Sequence, residues 1–416
     1  MSLCLLFISL KELGALTFTP MNRYLDLIGE MTAGLYGHSH PIIRDAIVSA
    51  AYKTGLNLGA TTTAEAKFAD QICQRIPSIE QLRFCNSGTE ANLYALSIAR
   101  RVTGRSKVVV FTGGYHGGVL SFVHGIAANN VDKADWILGT YNNGEAARKL
   151  ISENKDTAAA VLVEAMQGAG GCIQGTAGFL HAIQQTAKET GVIFILDEVM
   201  TSRLAPGGLQ STTFHPASQA PLHPDITTLG KYIAGGITIG AFGGRSDLLA
   251  VYNPRAVVAS GRGETLIQHS GTFNNNTIAM SVGYVALSAV YTSEACIALN
   301  SLGDWFRRSL QELCQGKKMI VTGVGAVCNI HFLSCSNSGF EDAYVTRVTC
   351  TEELEAKSGS FESFLKDLLW FYVVERGYWM AQRGMLSLTL GTTMEELQGF
   401  LQVIEGFLNE FDDFVK

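Results

Sequence analysis

A single lysine, Lys231, stands in the stretch TTLGKYIAGG at residues 227–236, whose other members are small, apolar, glycine or neutral. An amine in such company is either a solvated loop residue or a desolvated group. Desolvation lowers its pKa and frees its lone pair for nucleophilic and base chemistry. Three other places offer complementary groups. Asn86-Ser87-Gly88-Thr89 follows an apolar stretch and opens a helical pattern. The free N–H groups and positive dipole of a helix start can hold a phosphate, although the same residues also suit a plain N-cap. Asp197-Glu198 ends the apolar run at 192–196. A carboxylate beyond the carboxyl end of a strand can hold a metal, a base or a ring nitrogen, or can simply be solvated. Tyr115-His116 follows the run at 107–112 after two glycines, and the aromatic ring can stack on a flat ligand or merely pack.

Nucleotide motifs fail. Gly230-Lys231 has Asp225 where a phosphate-binding loop needs glycine, and Tyr232 where it needs a hydroxyl. Gly168-Ala169-Gly170 and Gly323-Val324-Gly325 both lack the third glycine of a dinucleotide fingerprint. One cofactor needs a phosphate cradle, a stacking face, a carboxylate and an amine together, and it is pyridoxal 5'-phosphate. The carboxylate keeps its pyridine nitrogen protonated, and the lysine takes its aldehyde as a Schiff base.

The elements that must position these groups alternate. Runs at 107–112, 158–164 and 192–197 read as buried strands, and the patterns at 89–103 and 178–190 as helices stopped by Gly104 and Gly191. Such alternation predicts an α/β fold with a mostly parallel sheet between helices. All the candidate groups except the lysine then fall at strand–helix junctions. The texture changes toward the C-terminus, where a helix over 361–376, a strand over 385–390 and a long amphipathic helix over 394–414 suggest a smaller α+β domain. The division expected is 1–54 as the N-terminal part of the small domain, 55–305 as the large domain, and 306–416 as the C-terminal small domain.

Composition narrows the class. With 416 residues, 47% hydrophobic and 16% charged, the chain can bury a large core. A net charge of −6 without a basic block gives no reason to expect nucleic acid. Nine cysteines without a CxxC pair argue against a metal site or a disulfide framework and for a reducing compartment. The apolar run at 3–10 is too short to span a membrane and lacks the flanks of a signal peptide. A soluble, cytoplasmic protein is expected.

The runs RFCNSGTEANLYAL, GGYHGGVLSF, EAMQGAGGCIQG, DEVMTSRLAPGGL, TTLGKYIAGG and HSGTFNNN follow one another in this sequence. In that order they resemble the class III, fold-type I, pyridoxal-phosphate-dependent aminotransferases. Within the class they are similar to the glutamate-1-semialdehyde aminomutase-like branch, and more so to the bacterial β-phenylalanine aminotransferases. The resemblance implies roles residue by residue. Lys231 matches the Schiff-base lysine, which also moves the proton, and Asp197 the partner of the pyridine nitrogen. Tyr115 and Val199 match the residues on the two ring faces. Ser87, Gly88 and Thr89 match the phosphate cradle, and Gln167 the residue near the ring hydroxyl. Thr272 matches a threonine that reaches the phosphate in the neighbouring subunit, which implies a homodimer with shared sites. Arg383, in AQRGMLSL, matches a carboxylate-binding arginine, although the local sequence also suits a surface arginine before a strand. The expected activity is ping-pong transamination from an amino acid, with a β-amino acid among the candidates, to a keto acid such as 2-oxoglutarate or pyruvate. The alternatives are an isomerase on the same cofactor, an aminomutase or racemase, and a catalytically impaired homologue.

Two departures stand out. The family pattern carries a longer N-terminal segment with a second carboxylate-binding arginine, which has no counterpart before Met21-Asn22-Arg23-Tyr24. The region from Val119 to Tyr141 is short and lacks the long glycine/serine loop of the aminomutases.

Overall fold

The structure is a computed structural model that describes residues 15–18, 22–56, 60–255, 266–333 and 360–416. The apolar run at 3–10 and Met21 lie outside the described residues. The centre is a seven-stranded sheet. Its spatial order is Gln81–Cys85, Gly240–Gly244, Ile226–Gly230, Ile193–Asp197, Ala158–Glu164, Lys107–Phe111 and Trp136–Gly139. Gly240–Gly244 runs antiparallel to both its neighbours, and the other pairings are parallel. Ala158–Glu164 and Ile193–Asp197 are buried along their whole length, as central strands of a sheet covered on both faces must be. Helices Gly88–Thr103 and Ala177–Thr190 stand where the sequence places them, each ended by a left-handed glycine, Gly104 or Gly191.

The lysine is the exception to the sequence reading. Ile226–Gly230 is a strand parallel to Ile193–Asp197, so Lys231 also follows a strand end. Cys85, Phe111, Glu164, Asp197 and Gly230 are therefore the last residues of five strands that run the same way. Open α/β sheets bind ligands at that edge.

A second sheet pairs Met319–Val324, Val327–Phe332 and Met385–Ser387, all antiparallel. Gly323-Val324 ends the first strand of its hairpin and Gly325 opens the turn, with Gly323 and Gly325 both at positive φ, which is why two glycines recur there without a nucleotide. Gly168-Ala169-Gly170 likewise joins the short strands Met166–Gln167 and Ile173–Gln174. A third sheet unites the two chain ends: Ala15–Phe18 pairs with Asn22–Asp26, which pairs in parallel with Tyr378–Trp379. Helix Phe361–Glu375 and helix Met394–Glu410 complete this region, the latter opened by a Thr393/Glu396 capping box. One apolar cluster runs through Leu27, Phe68, Phe306 and Phe407, so the ends of the chain and its middle share a core.

Among the described residues no single helix is long and apolar enough to cross a membrane. The bent pair Thr277–Val290 and Ser293–Leu313 approaches that composition, and its apolar residues Met280, Val282 and Phe306 are buried in the core.

Candidate active site

A cavity of about 1270 Å3 opens at the carboxyl edge of the large sheet. Gly88, Thr89, Tyr115, Asp197, Val199, Lys231 and Arg383 all border it. These residues come from segments far apart in sequence. Ser87, Gln167 and Thr272 do not border the cavity. Ser87 is the N-cap of helix Gly88–Thr103, its hydroxyl accepting from Glu90 N–H at 3.2 Å. Gln167 is buried and donates to the Thr112 carbonyl at 2.8 Å. Thr272 is exposed in the turn before helix Thr277–Val285.

Lys231 opens a short 3-10 turn, Lys231–Ala234, with φ of 56°. A side chain in the left-handed region costs about 1–2 kcal/mol, so the surrounding structure must hold it there. Gly235 ends the turn at positive φ, where a Cβ would lie 2.7 Å from Val282 Cγ1. The amine of Lys231 makes no hydrogen bond or ion pair among the described residues. Burial lowers its pKa, Asp197 and Glu164 pull it back up, and Arg383 and Arg203 add to the lowering. The result is an amine released from its proton more easily than an ordinary lysine.

Asp197 is held on both carboxylate oxygens. Oδ1 accepts the Val199 N–H at 3.0 Å, and Oδ2 accepts Asn92 Nδ2 at 2.8 Å and faces His116 Nδ1 at 2.9 Å. Burial alone raises such a carboxyl, but His116, the Val199 amide and Asn92 outweigh it, and Asp197 lies below the usual carboxylate range. Asn92 is itself fixed: it donates to the His116 carbonyl at 2.9 Å and accepts from Thr228 Oγ1 at 2.8 Å. Glu164 ends the next strand, in register with Asp197. Its carboxylate accepts the N–H groups of Tyr115 at 2.9 Å and Gly168 at 3.0 Å. Burial, assisted by Asp197, pushes Glu164 upward despite His116 and these two amides. Neighbouring carboxyls pushed in opposite directions divide labour, one staying charged and the other titrating.

The sequence reading passed over Asn92 and Glu164 and named His116 only beside Tyr115. Asn92 lies one helical turn beyond Ser87-Gly88, and Glu164 is the polar end of an otherwise apolar strand. Those are the signals that point to them.

The cradle is tight. A Cβ on Gly88 would lie 2.7 Å from Val199 Cγ1, so only glycine lets the helix start approach this closely. Gly117, at φ of 133°, passes against Thr89 in the same manner. Arg383 reaches the cavity from the loop before Met385–Ser387, its guanidinium 3.1 Å from Met385 Sδ and 3.9 Å from Met31 Sδ.

This arrangement on this fold defines a class, and comparison with known proteins agrees. Residues 11–352 match the family Aminotransferase class-III, and the chain belongs to that family. It is 44% identical over 388 residues to an uncharacterised aminotransferase of Schizosaccharomyces pombe, covering 93% of this chain and 82% of that one. It is 42% identical over 405 residues to the β-phenylalanine transaminase of Variovorax paradoxus, covering 97% and 86%. The crystal structure of a β-phenylalanine aminotransferase from Variovorax paradoxus superposes with a TM-score of 0.89 at 40% identity, covering 99% of this chain and 88% of that one.

The protein is a pyridoxal-phosphate-dependent transaminase. Its residues fit that cofactor on three counts. The cavity holds an unpartnered, desolvated amine, a buried carboxylate kept ionised, and a helix start stripped of side chain at Gly88. Lys231, Asp197, Gly88 and Thr89 are the groups available to hold it.

Proposed function

We propose that this transaminase takes its amino group from a β-amino acid and passes it to a keto acid such as 2-oxoglutarate or pyruvate. The observation that carries the assignment of residues is the unpartnered amine of Lys231 in one cavity with the ionised Asp197 and the Gly88-Thr89 helix start. Bound pyridoxal phosphate supplies an aldehyde to take up the amine and a ring to draw electrons from the adjacent C–H bond. Lys231 holds the cofactor covalently between turnovers. Its freed amine would take the proton from the donor's amine-bearing carbon and hand it on within the same half-reaction, then work in the reverse direction when the keto acid accepts the amine. Asp197 keeps the ring nitrogen protonated, with His116 and Asn92 fixing its orientation. Thr89 and the amides at the helix start bind the phosphate, joined by Ser87. Tyr115 and Val199 confine the ring, and Gln167 acts near its hydroxyl. Arg383 holds a substrate carboxylate; among the described residues its guanidinium meets only methionine sulfurs, which leaves its charge available.

The β-amino acid donor is supported by the 42% identity to a β-phenylalanine transaminase, while the short region from Val119 to Tyr141 speaks against the aminomutase alternative. A panel of α-, β- and ω-amines with 2-oxoglutarate and pyruvate tests it. Fastest turnover with an aromatic β-amino acid supports the reading, and turnover confined to α-amino acids contradicts it. Isomerisation without any keto acceptor would point to aminomutase or racemase chemistry instead.

The same reading gives a homodimer in which the exposed Thr272 serves the neighbouring subunit's phosphate. It divides the chain into a large domain at 55–305 and a small one formed from 1–54 and 306–416, consistent with the strand pairing of Asn22–Asp26 and Tyr378–Trp379. A reducing, cytoplasmic setting suits the six described cysteines, all of them free.

A further inference from the structure

Part of the cavity wall comes from the strand Val327–Phe332 and the helix Phe361–Glu375, neither of which the transaminase chemistry above uses. Asn329 and His331 are two residues apart on that strand and so share one face. Both border the cavity, and Lys366 of the helix lies beside them, its Nζ 3.3 Å from His331 Nδ1. His331 Nε2 lies 3.1 Å from the Gly171 carbonyl and 3.0 Å from Thr322 Oγ1. A carbonyl only accepts, so Nε2 carries the proton and Nδ1 offers its lone pair to the ammonium. Burial, reinforced by Lys366, lowers the ring's pKa to about 3, and the imidazole is neutral. It therefore aims the lysine without cancelling its charge.

Among the described residues neither Lys366 nor Arg383 pairs with a carboxylate. Asp367 also borders the cavity as an anion; its carboxylate accepts the Gln382 amide at 2.8 Å and makes no ion pair with either cation. Burial and then the charge of Arg383 lower Lys366 to about 8, so it is cationic at neutral pH and the two cations feel each other. Asn329 is 2% exposed, and its Oδ1 has no hydrogen-bond partner among the described residues. Two cations without a carboxylate partner among the described residues, on one cavity wall, make a site that an anion would complete, while the Asn329 oxygen can only accept from a donor.

We propose that Lys366, aimed by His331 and flanked by Asn329, is a second carboxylate-binding cation, so that with Arg383 it selects a dicarboxylic keto acid as the amino acceptor. A monocarboxylic acceptor leaves one of the two cations unpaired, whereas a dicarboxylic one gives each a charge-assisted hydrogen bond. The inference rests on the transaminase reading and deepens it by naming the acceptor class.

The test compares glutarate with butyrate as ligands of the full chain carrying its cofactor, by titration and by inhibition. Wild type is expected to bind glutarate at least about tenfold more tightly than butyrate, the scale of one charge-assisted hydrogen bond. Lys366→Met should bring glutarate down to the level of butyrate and change butyrate itself little. Lys366→Arg should keep the preference. Lys366→Gln serves where the methionine variant fails to fold. Equal binding of the two acids by wild type overturns the proposal, as does a lysine variant that keeps the preference or loses both acids alike. Failure of the transaminase reading shows separately, as absence of turnover with every amine and acceptor, while the binding comparison still reads out.

Discussion

Asp197 and Glu164 end neighbouring strands, yet one is held below the carboxylate range and the other driven above it. The difference lies in the partners: Asp197 is hydrogen-bonded by His116 and the Asn92 amide, whereas Glu164 has two backbone N–H groups and the more distant charge of His116 set against its burial and the Asp197 charge. Asp197→Asn keeps the shape and removes the charge. Turnover is expected to fall about 10²–10³-fold, the range seen when one preorganised electrostatic group is removed, with the fold unchanged by circular dichroism. His116→Ala acts through Asp197. Without the imidazole the Asp197 pKa rises, so the acid limb of the pH–rate profile should move to higher pH; an unmoved limb would show that His116 only packs. Glu164 makes a prediction about stability. Its folded pKa is raised above the usual 4.5, so its contribution is fully present below that value and is lost as pH rises through the raised one. Glu164→Gln should flatten the fall of Tm with rising pH over that interval.

At the scale of elements, strands rich in branched residues were legible and strands built from small or polar ones were not. Ala158–Glu164 reads plainly because every residue is buried and apolar up to the terminal acid. Gly240–Gly244, GAFGG, has no strand propensity. Its glycines are required by contact, since a Cβ on Gly240 would lie 2.1 Å from Ser87 O and one on Gly244 the same distance from Asp225 O. Ile226–Gly230 hides two threonines at 0% exposure, with Thr228 Oγ1 bonded to Asn92, and hydroxyl residues in a core strand look like loop until their partners are known. That is why Lys231 was not read as a strand-end residue. Gly88→Ala should push Val199 aside, at a cost of about 1–3 kcal/mol for overpacking, read as weaker cofactor binding. Arg203 ties elements together. At 0% exposure it donates to Thr32 O and Ser387 Oγ, both at 3.1 Å, and to Leu388 O at 2.5 Å. Arg203→Met should cost about 3 kcal/mol or more through the carbonyls left unpaired, seen as a lower denaturant midpoint.

For the whole molecule, seven of the ten site residues named from the sequence, Gly88, Thr89, Tyr115, Asp197, Val199, Lys231 and Arg383, border one cavity, and Ser87, Gln167 and Thr272 do not. What sequence could not supply is the second wall. Asn329, His331 and Lys366 gain meaning only when a hairpin and a helix bring them beside Arg383. Thr272 is exposed and away from the cavity, so the role proposed for it requires a second copy of the chain. Light scattering should then give twice the chain mass of 44.8 kDa, and a monomer would remove the role given to Thr272. The most direct measurement concerns Lys231. Borohydride reduction of the cofactor-loaded protein, followed by digestion and mass spectrometry, should find the cofactor's mass on the peptide that contains Lys231 and on no other. Attachment at a different lysine, or full turnover by Lys231→Ala, would contradict the account.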